Sequence, residues 1–178
     1  MGADPLFNMD AIAQWARDVD IAGWTTWTWG WPITEILHFT GLCLLFGTVA
    51  LFDLRMLGVA RGIRMRTLHR LIPFGIAGFA LSLTSGFLFV VTYPDQYLHN
   101  PAFVLKLGFM ALAGINMVLF YVTTARAVWA TEPDALPPLR ARIFGAVSLL
   151  CWLGVIACGR VITAYRPPWD WCFWCGGT

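Results

Sequence analysis

Charge is what this 178-residue chain has least of: 12% of its residues are Asp, Glu, Lys or Arg, about half the share of an ordinary soluble domain. There is one lysine, Lys106, and there are two glutamates, Glu35 and Glu132. So thin a polar fraction excludes a sizeable soluble domain, and the short arginine-bearing stretches carry no nucleic-acid signal. Histidine is nearly as rare. His38, His69 and His99 are the only three. No internal repeat or low-complexity segment occurs. The one CxxC, Cys172 and Cys175 in "WDWCFWCGG", lacks a following histidine, which excludes covalent haem attachment there.

What the chain has in quantity is apolar surface, 58% of its residues. Segments 33–56, 71–91, 101–122 and 144–164 are each long enough to cross a hydrocarbon core of about 30 Å. The predicted fold is all-α, an integral membrane four-helix bundle at 31–166. A Trp-rich interfacial segment at 1–30 precedes it, and a Trp-rich tail at 167–178 with the CxxC follows. "EPDALPP" at 132–138 is a turn-rich break between the third and fourth spans.

Arginine sets the expected orientation. Arg61, Arg64, Arg66 and Arg70, with Arg55 at their edge, follow the first span, and Arg126, Arg140 and Arg142 follow the third. Both stretches fall on one side, predicted cytoplasmic, which puts both termini outside a bacterial inner membrane. Asp4, Asp10, Asp18 and Asp20 against Arg17 make the N-terminal segment acidic, so no cleaved signal peptide is expected. Trp15, Trp24, Trp27, Trp29 and Trp31 on one flank and Trp169, Trp171 and Trp174 on the other suit the outer interface. A short helix at 10–19, with Ile12, Trp15 and Val19 on one face, is expected to lie flat there, as an anchor or as a lid.

Within the spans the polar residues share a level. His38 lies five residues inside the outer end of the first span, or about 7–8 Å deep. Lys106 enters the third span equally far, Arg160 is four residues from the outer end of the fourth, and Thr84, Ser85 and Gly86 reach a similar level in the second. A charge facing lipid costs at least about 2.5–3.5 kcal/mol, so such groups usually face a bundle interior or a cavity. Lys106 and Arg160 can also snorkel outward, and a lone membrane histidine can be a packing hydrogen bond. Glu35, one turn outward of His38, is a candidate for orienting the imidazole, relaying protons or pairing with a cation.

An imidazole, two cations and a glycine suit haem b, with His38 on iron, Lys106 and Arg160 on the propionates, and Gly86 admitting the flat macrocycle. A quinone bound by His38 or Lys106 is a second candidate. Copper is a third, but His38 and Cys43 are about 140° apart on a helix. His99 is the candidate second axial ligand. His69 opens the second span on the far side, some 20 Å away by helix rise, as an interfacial residue or a separate second site. Asp53 is expected to pair with an arginine near the cytoplasmic edge. Cys43, Cys151 and Cys158 read as small buried residues. Cys172 and Cys175 read as a disulfide, a redox pair or a metal site.

"ILHFTGLCLLFGTVALFDLRMLG", "LHRLIPFGIAGFALSLTSGFLF" and "NPAFVLKLGFMALAGINMVLFY" resemble the small four-span bacterial membrane proteins of the DUF6644 and DUF2214 types. Those are similar in turn to the CopD copper-resistance and HemJ-type protoporphyrinogen oxidase families. The resemblance covers about 31–121. It implies that His38 is a haem-binding histidine and that Arg55, Lys106 and the small motif Thr84 to Gly86 match family positions. Asn116 stands where HemJ-type proteins tend to show histidine, and the Trp-rich ends fall outside the pattern. The expected function is b-type haem electron transfer, or small-substrate redox chemistry, between the quinone pool and the outer side, in a homo-oligomer. The alternatives are a HemJ-like oxidase, a thiol–quinone oxidoreductase resembling DsbB, and a copper or metal-ion transporter.

Overall fold

The computed structural model describes residues 9–59, 61–98, 100–132 and 134–165. His99, the tail at 167–178 with Cys172 and Cys175, and Trp169, Trp171 and Trp174 lie outside the described residues. Those described form helices and connecting turns, with no strand among them. Two short helices, α1 (Met9–Asp18) and α2 (Ile21–Thr26), lead into α3 (Gly30–Met56). Then come α4 (Met65–His69), α5 (Ile72–Thr92), α6 (Pro94–Leu98), α7 (Pro101–Thr123), α8 (Ala125–Trp129) and α9 (Leu139–Val161), which ends in a 3-10 turn.

Four of these, α3, α4 with α5, α7 and α9, are long and apolar enough to cross a membrane. Hydrocarbon offers the backbone no hydrogen-bond partner, so an apolar run of that length closes its bonds internally as helix. The expected spans are therefore found, and the bundle is that of a multi-pass membrane protein. The fourth starts earlier than its hydropathy suggests, at Leu139 rather than 144. Pro138 stands at its N-cap, and "LRAR" is built of good helix formers, so the helix extends past the apolar stretch.

The bundle consists of two hairpins. α3 packs along α5, α7 packs along α9, and a narrower seam joins α3 to α9, while no comparable packing joins α5 to α7. Gly41 and Gly78 explain the intimacy of the first pair. A Cβ on Gly41 would lie 2.7 Å from the Gly78 carbonyl oxygen, and one on Gly78 would lie 2.6 Å from the Gly41 carbonyl oxygen. The two backbones touch because neither residue has a side chain. Ser82 Oγ then donates across the crossing to the His38 carbonyl at 3.1 Å. Gly75, Gly78, Ser82 and Ser85 share one buried face of α5, a small-residue ridge.

The ends are tied separately. At the arginine-rich end, Met56, Met65, Phe120 and Val128 form an apolar cluster. Arg55 is 1% exposed and donates through Nε to the Ile63 carbonyl at 2.8 Å, clamping the turn after α3. Among the described residues Asp53 makes no ion pair with an arginine, contrary to expectation. Two residues apart on a helix is about 200° of rotation, so Arg55 faces the turn while Asp53 faces the bundle.

At the opposite, tryptophan-rich end, fully buried Asn100 caps α7 by accepting from the Ala102 amide at 3.0 Å. Its Nδ2 donates to the Ile162 carbonyl at 3.0 Å, joining the start of α7 to the end of α9. Asn100→Ala removes both bonds, and an expected loss of about 1–2 kcal/mol should appear as a lowered midpoint in SDS or thermal unfolding.

The N-terminal helix forms as expected but buries a different face. Ala16 is its buried contact, whereas Trp15 and Val19 are exposed. Helix α1 rests against α5 and α6, with Trp15 edge-on to Phe87 at 6.2 Å between centroids. The Thr25 and Thr92 hydroxyls, 2.9 Å apart, hold α2 to the end of α5. The segment is thus docked on protein along its Ala16 side, and Trp15 and Val19 stay exposed on the face expected to meet the membrane interface.

Candidate functional site

His38 sits on the face of α3 that meets α5, half-buried. Its Nδ1 is 3.0 Å from Ser85 Oγ. Ser85 is itself buried, and its hydroxyl lies 2.7 Å from the Leu81 carbonyl and 3.2 Å from the Ser82 carbonyl. A hydroxyl has one proton, and a carbonyl oxygen can only accept. The proton therefore points along α5, and toward His38 the oxygen can only accept. That places an imidazole proton on Nδ1, so that in the neutral ring the Nε2 lone pair is bare. Among the described residues none is within hydrogen-bond reach of Nε2.

The neighbours of the ring are equally specific. A Cβ on Gly86 would meet His38 Cε1 at 3.4 Å, so the absence of a side chain at Gly86 leaves the imidazole edge uncovered. Phe89 stands edge-on to the imidazole at 5.7 Å, and Trp31 packs on Phe89 at 4.7 Å, continuing the aromatic wall toward the tryptophan-rich end. Lys106 comes from the other hairpin. Its Nζ lies along α9, 3.8 Å from where a Cβ of Gly159 would be. The only lysine thus faces protein, as the cost of a lipid-facing charge requires.

The other predicted site residues are placed differently. Glu35 is exposed, and Ser85 occupies the orienting position beside Nδ1 that Glu35 was a candidate to fill. Arg160 is exposed, with Nη1 donating to Thr163 Oγ1 on its own chain end at 3.1 Å. Thr84 is exposed and donates to the Ala80 carbonyl. His69 belongs to the arginine-rich end, where Nε2 is 3.4 Å from the Tyr121 hydroxyl and the ring is edge-on to Trp129. Cys43 is exposed and Cys151 and Cys158 are buried, all three as free thiols. Ser85, a candidate cofactor-binding residue, is buried beside the imidazole, whereas Thr84 is exposed. The small-residue ridge of α5, on which only Ser85 lies, was the signal that separates them.

A second polar feature lies further from the tryptophan-rich end, with Asp53 fifteen residues, or about four turns, beyond His38 on α3. A cavity of about 270 Å³ is enclosed by α3 and α9 at the back and flanked by α5 and α7. Its walls are apolar apart from a few groups, among them Asp53, Asn116 and Ser148. Asn116, where the resembled family tends to have histidine, uses Nδ2 to donate to the Phe144 carbonyl at 3.1 Å.

No three His, Cys, Asp or Glu side chains converge to hold a metal ion among the described residues. The chemistry available at His38 is therefore that of a single imidazole oriented by Ser85. Compared with protein-family models, with curated proteins and with solved structures, the chain matches none, so the site is read from its own geometry.

Proposed function

We propose that this chain is an integral b-type haem protein of a bacterial inner membrane, with both termini outside. It would pass electrons between a lipid-soluble quinol and an acceptor or small substrate on the outer side. The observation that supports this reading is the bare Nε2 of His38. A lone imidazole is a poor site for a free metal ion, which needs three or four protein ligands. It suits an iron that arrives with four macrocycle nitrogens already in place.

Haem supplies a one-electron centre when bound. The chain supplies the rest. His38 offers Nε2, and Ser85 holds the Nδ1 proton, fixing the ring's tautomer and angle as a second partner does for metal-bound histidines. Gly86 leaves room beside the ring. Lys106 provides positive charge for a propionate, and Arg160 can do so by leaving Thr163. His99 is the candidate for the opposite axial position. The resemblance to four-span haem-binding families points the same way, and the arginine-rich end supports the orientation.

The direct test is the absorption spectrum of detergent-purified protein before and after dithionite. A Soret band with sharpened reduced α and β bands is expected. Colourless, folded protein from haem-replete cells would overturn the proposal. Ser85→Ala should keep the haem but weaken its retention by about 10- to 100-fold, the usual cost of losing a ligand's outer partner. Ser85→Thr, which restores the hydroxyl, should recover most of that loss in a haem-transfer assay to apomyoglobin.

A further inference from the structure

The cavity below the His38 level carries an inference of its own. Asp53 is 2% exposed, and its Oδ2 has no hydrogen-bond partner. Ser148 is within reach of the same carboxyl group. An unsatisfied buried carboxyl oxygen is costly, and it lines a cavity rather than sealed packing. Asn116 commits Nδ2 to the Phe144 carbonyl, which leaves its Oδ1 as a second acceptor on the wall. Ser148 is one turn of α9 beyond Phe144, so the two acceptors differ in level by roughly 5 Å.

Around these acceptors the walls are broad and apolar, with Phe79, Phe120, Phe144 and Trp152 among them. The unpacked flank between α5 and α7 opens toward the surrounding lipid. An occupant must therefore reach the site through the bilayer, be flat enough for aromatic walls, and present two hydrogen-bond donors about a helical turn apart.

We infer that this cavity binds the ring of a lipid-soluble para-hydroquinone, with one hydroxyl donating to Asp53 Oδ2 and the other to Asn116 Oδ1. The choice of ring class rests on the redox reading above, whereas the need for a donor-bearing ligand rests on Asp53 alone. The oxidised quinone has lost both donors and cannot make these two hydrogen bonds.

The test uses the full chain in lipid nanodiscs. The probe is a decyl-substituted benzohydroquinone kept reduced under argon, titrated by calorimetry beside its di-O-methyl ether. The hydroquinone should bind at least about tenfold more tightly than the ether, which has the same ring and no donors. Asp53→Leu, an apolar replacement suited to a buried position, should abolish that preference while the reduced haem spectrum stays unchanged. Gly114 lines the cavity with open space at its Cβ, so Gly114→Phe should fill the site and remove binding altogether.

Equal affinity for hydroquinone and ether would overturn the inference, since the cavity would then be an acyl-chain groove. So would undiminished binding to Gly114→Phe. Hydroquinone binding by a protein that holds no haem would instead sink the electron-transfer proposal and leave this site standing.

Discussion

His38→Ala protein, purified from haem-replete cells, is expected to be colourless while its far-ultraviolet circular dichroism matches the parent. The loss should be complete because the described residues offer no substitute at that level. Lys106 has no lone pair to give when charged, and His69 is at the other end of the bundle beside Tyr121 and Trp129. The fold should survive, since His38 is only half-buried and its backbone carbonyl still accepts from Ser82. Imidazole added at millimolar concentration should restore part of the Soret band in His38→Gly, where the vacated volume can admit the free ligand. A Soret band of parental height and position in His38→Ala would assign the iron to another residue and end this proposal.

Gly78→Leu is expected to separate the first hairpin and destabilise the bundle strongly. A Cβ there would stand 2.6 Å from both the Gly41 carbonyl oxygen and the Leu45 amide nitrogen, and backbone atoms cannot rotate away as side chains do. The helices must separate along the tightest packing in the bundle. The cost should lie at or beyond the upper end of the roughly 1–3 kcal/mol seen when cores are overfilled. SDS titration of the purified protein should show the midpoint falling sharply, with the His38–Ser85 bond and any ligand lost together. Gly108 is the control, because nothing lies within 4 Å of a Cβ there. Gly108→Leu should leave the midpoint unchanged or raise it slightly, as a better helix former replaces glycine. Equal effects at the two positions would refute the close crossing of α3 and α5.

The elements of this fold were readable because hydrophobic length and arginine placement are local signals. So was the level shared by His38, Ser85, Gly86 and Lys106, since depth follows from counting residues. Direction around each helix was harder. Arg160 shares the level yet turns to Thr163, and Glu35 shares the turn yet is exposed, because depth says nothing about azimuth. An arginine partner at the cytoplasmic edge is expected for Asp53, and helical geometry instead turns it about 200° from Arg55 and into the bundle. The α5 ridge of Gly75, Gly78, Ser82 and Ser85 was present in the sequence as i, i+3, i+7, i+10 spacing, and it identifies the α3 contact and the partner of His38 at once. The gap between α5 and α7 had no such signal. It arises because α9, the last span, joins α3, the first, and pairings between distant segments leave no periodicity in either.

That closure of last upon first has a consequence for biosynthesis. The first hairpin, α3 with α5, has its close contact available as soon as both have left the ribosome, and the second, α7 with α9, follows as a separate unit. His38 belongs to the earlier unit and Lys106 to the later one. Assembly of the His38 level therefore needs both hairpins, since the imidazole and the ammonium belong to different ones.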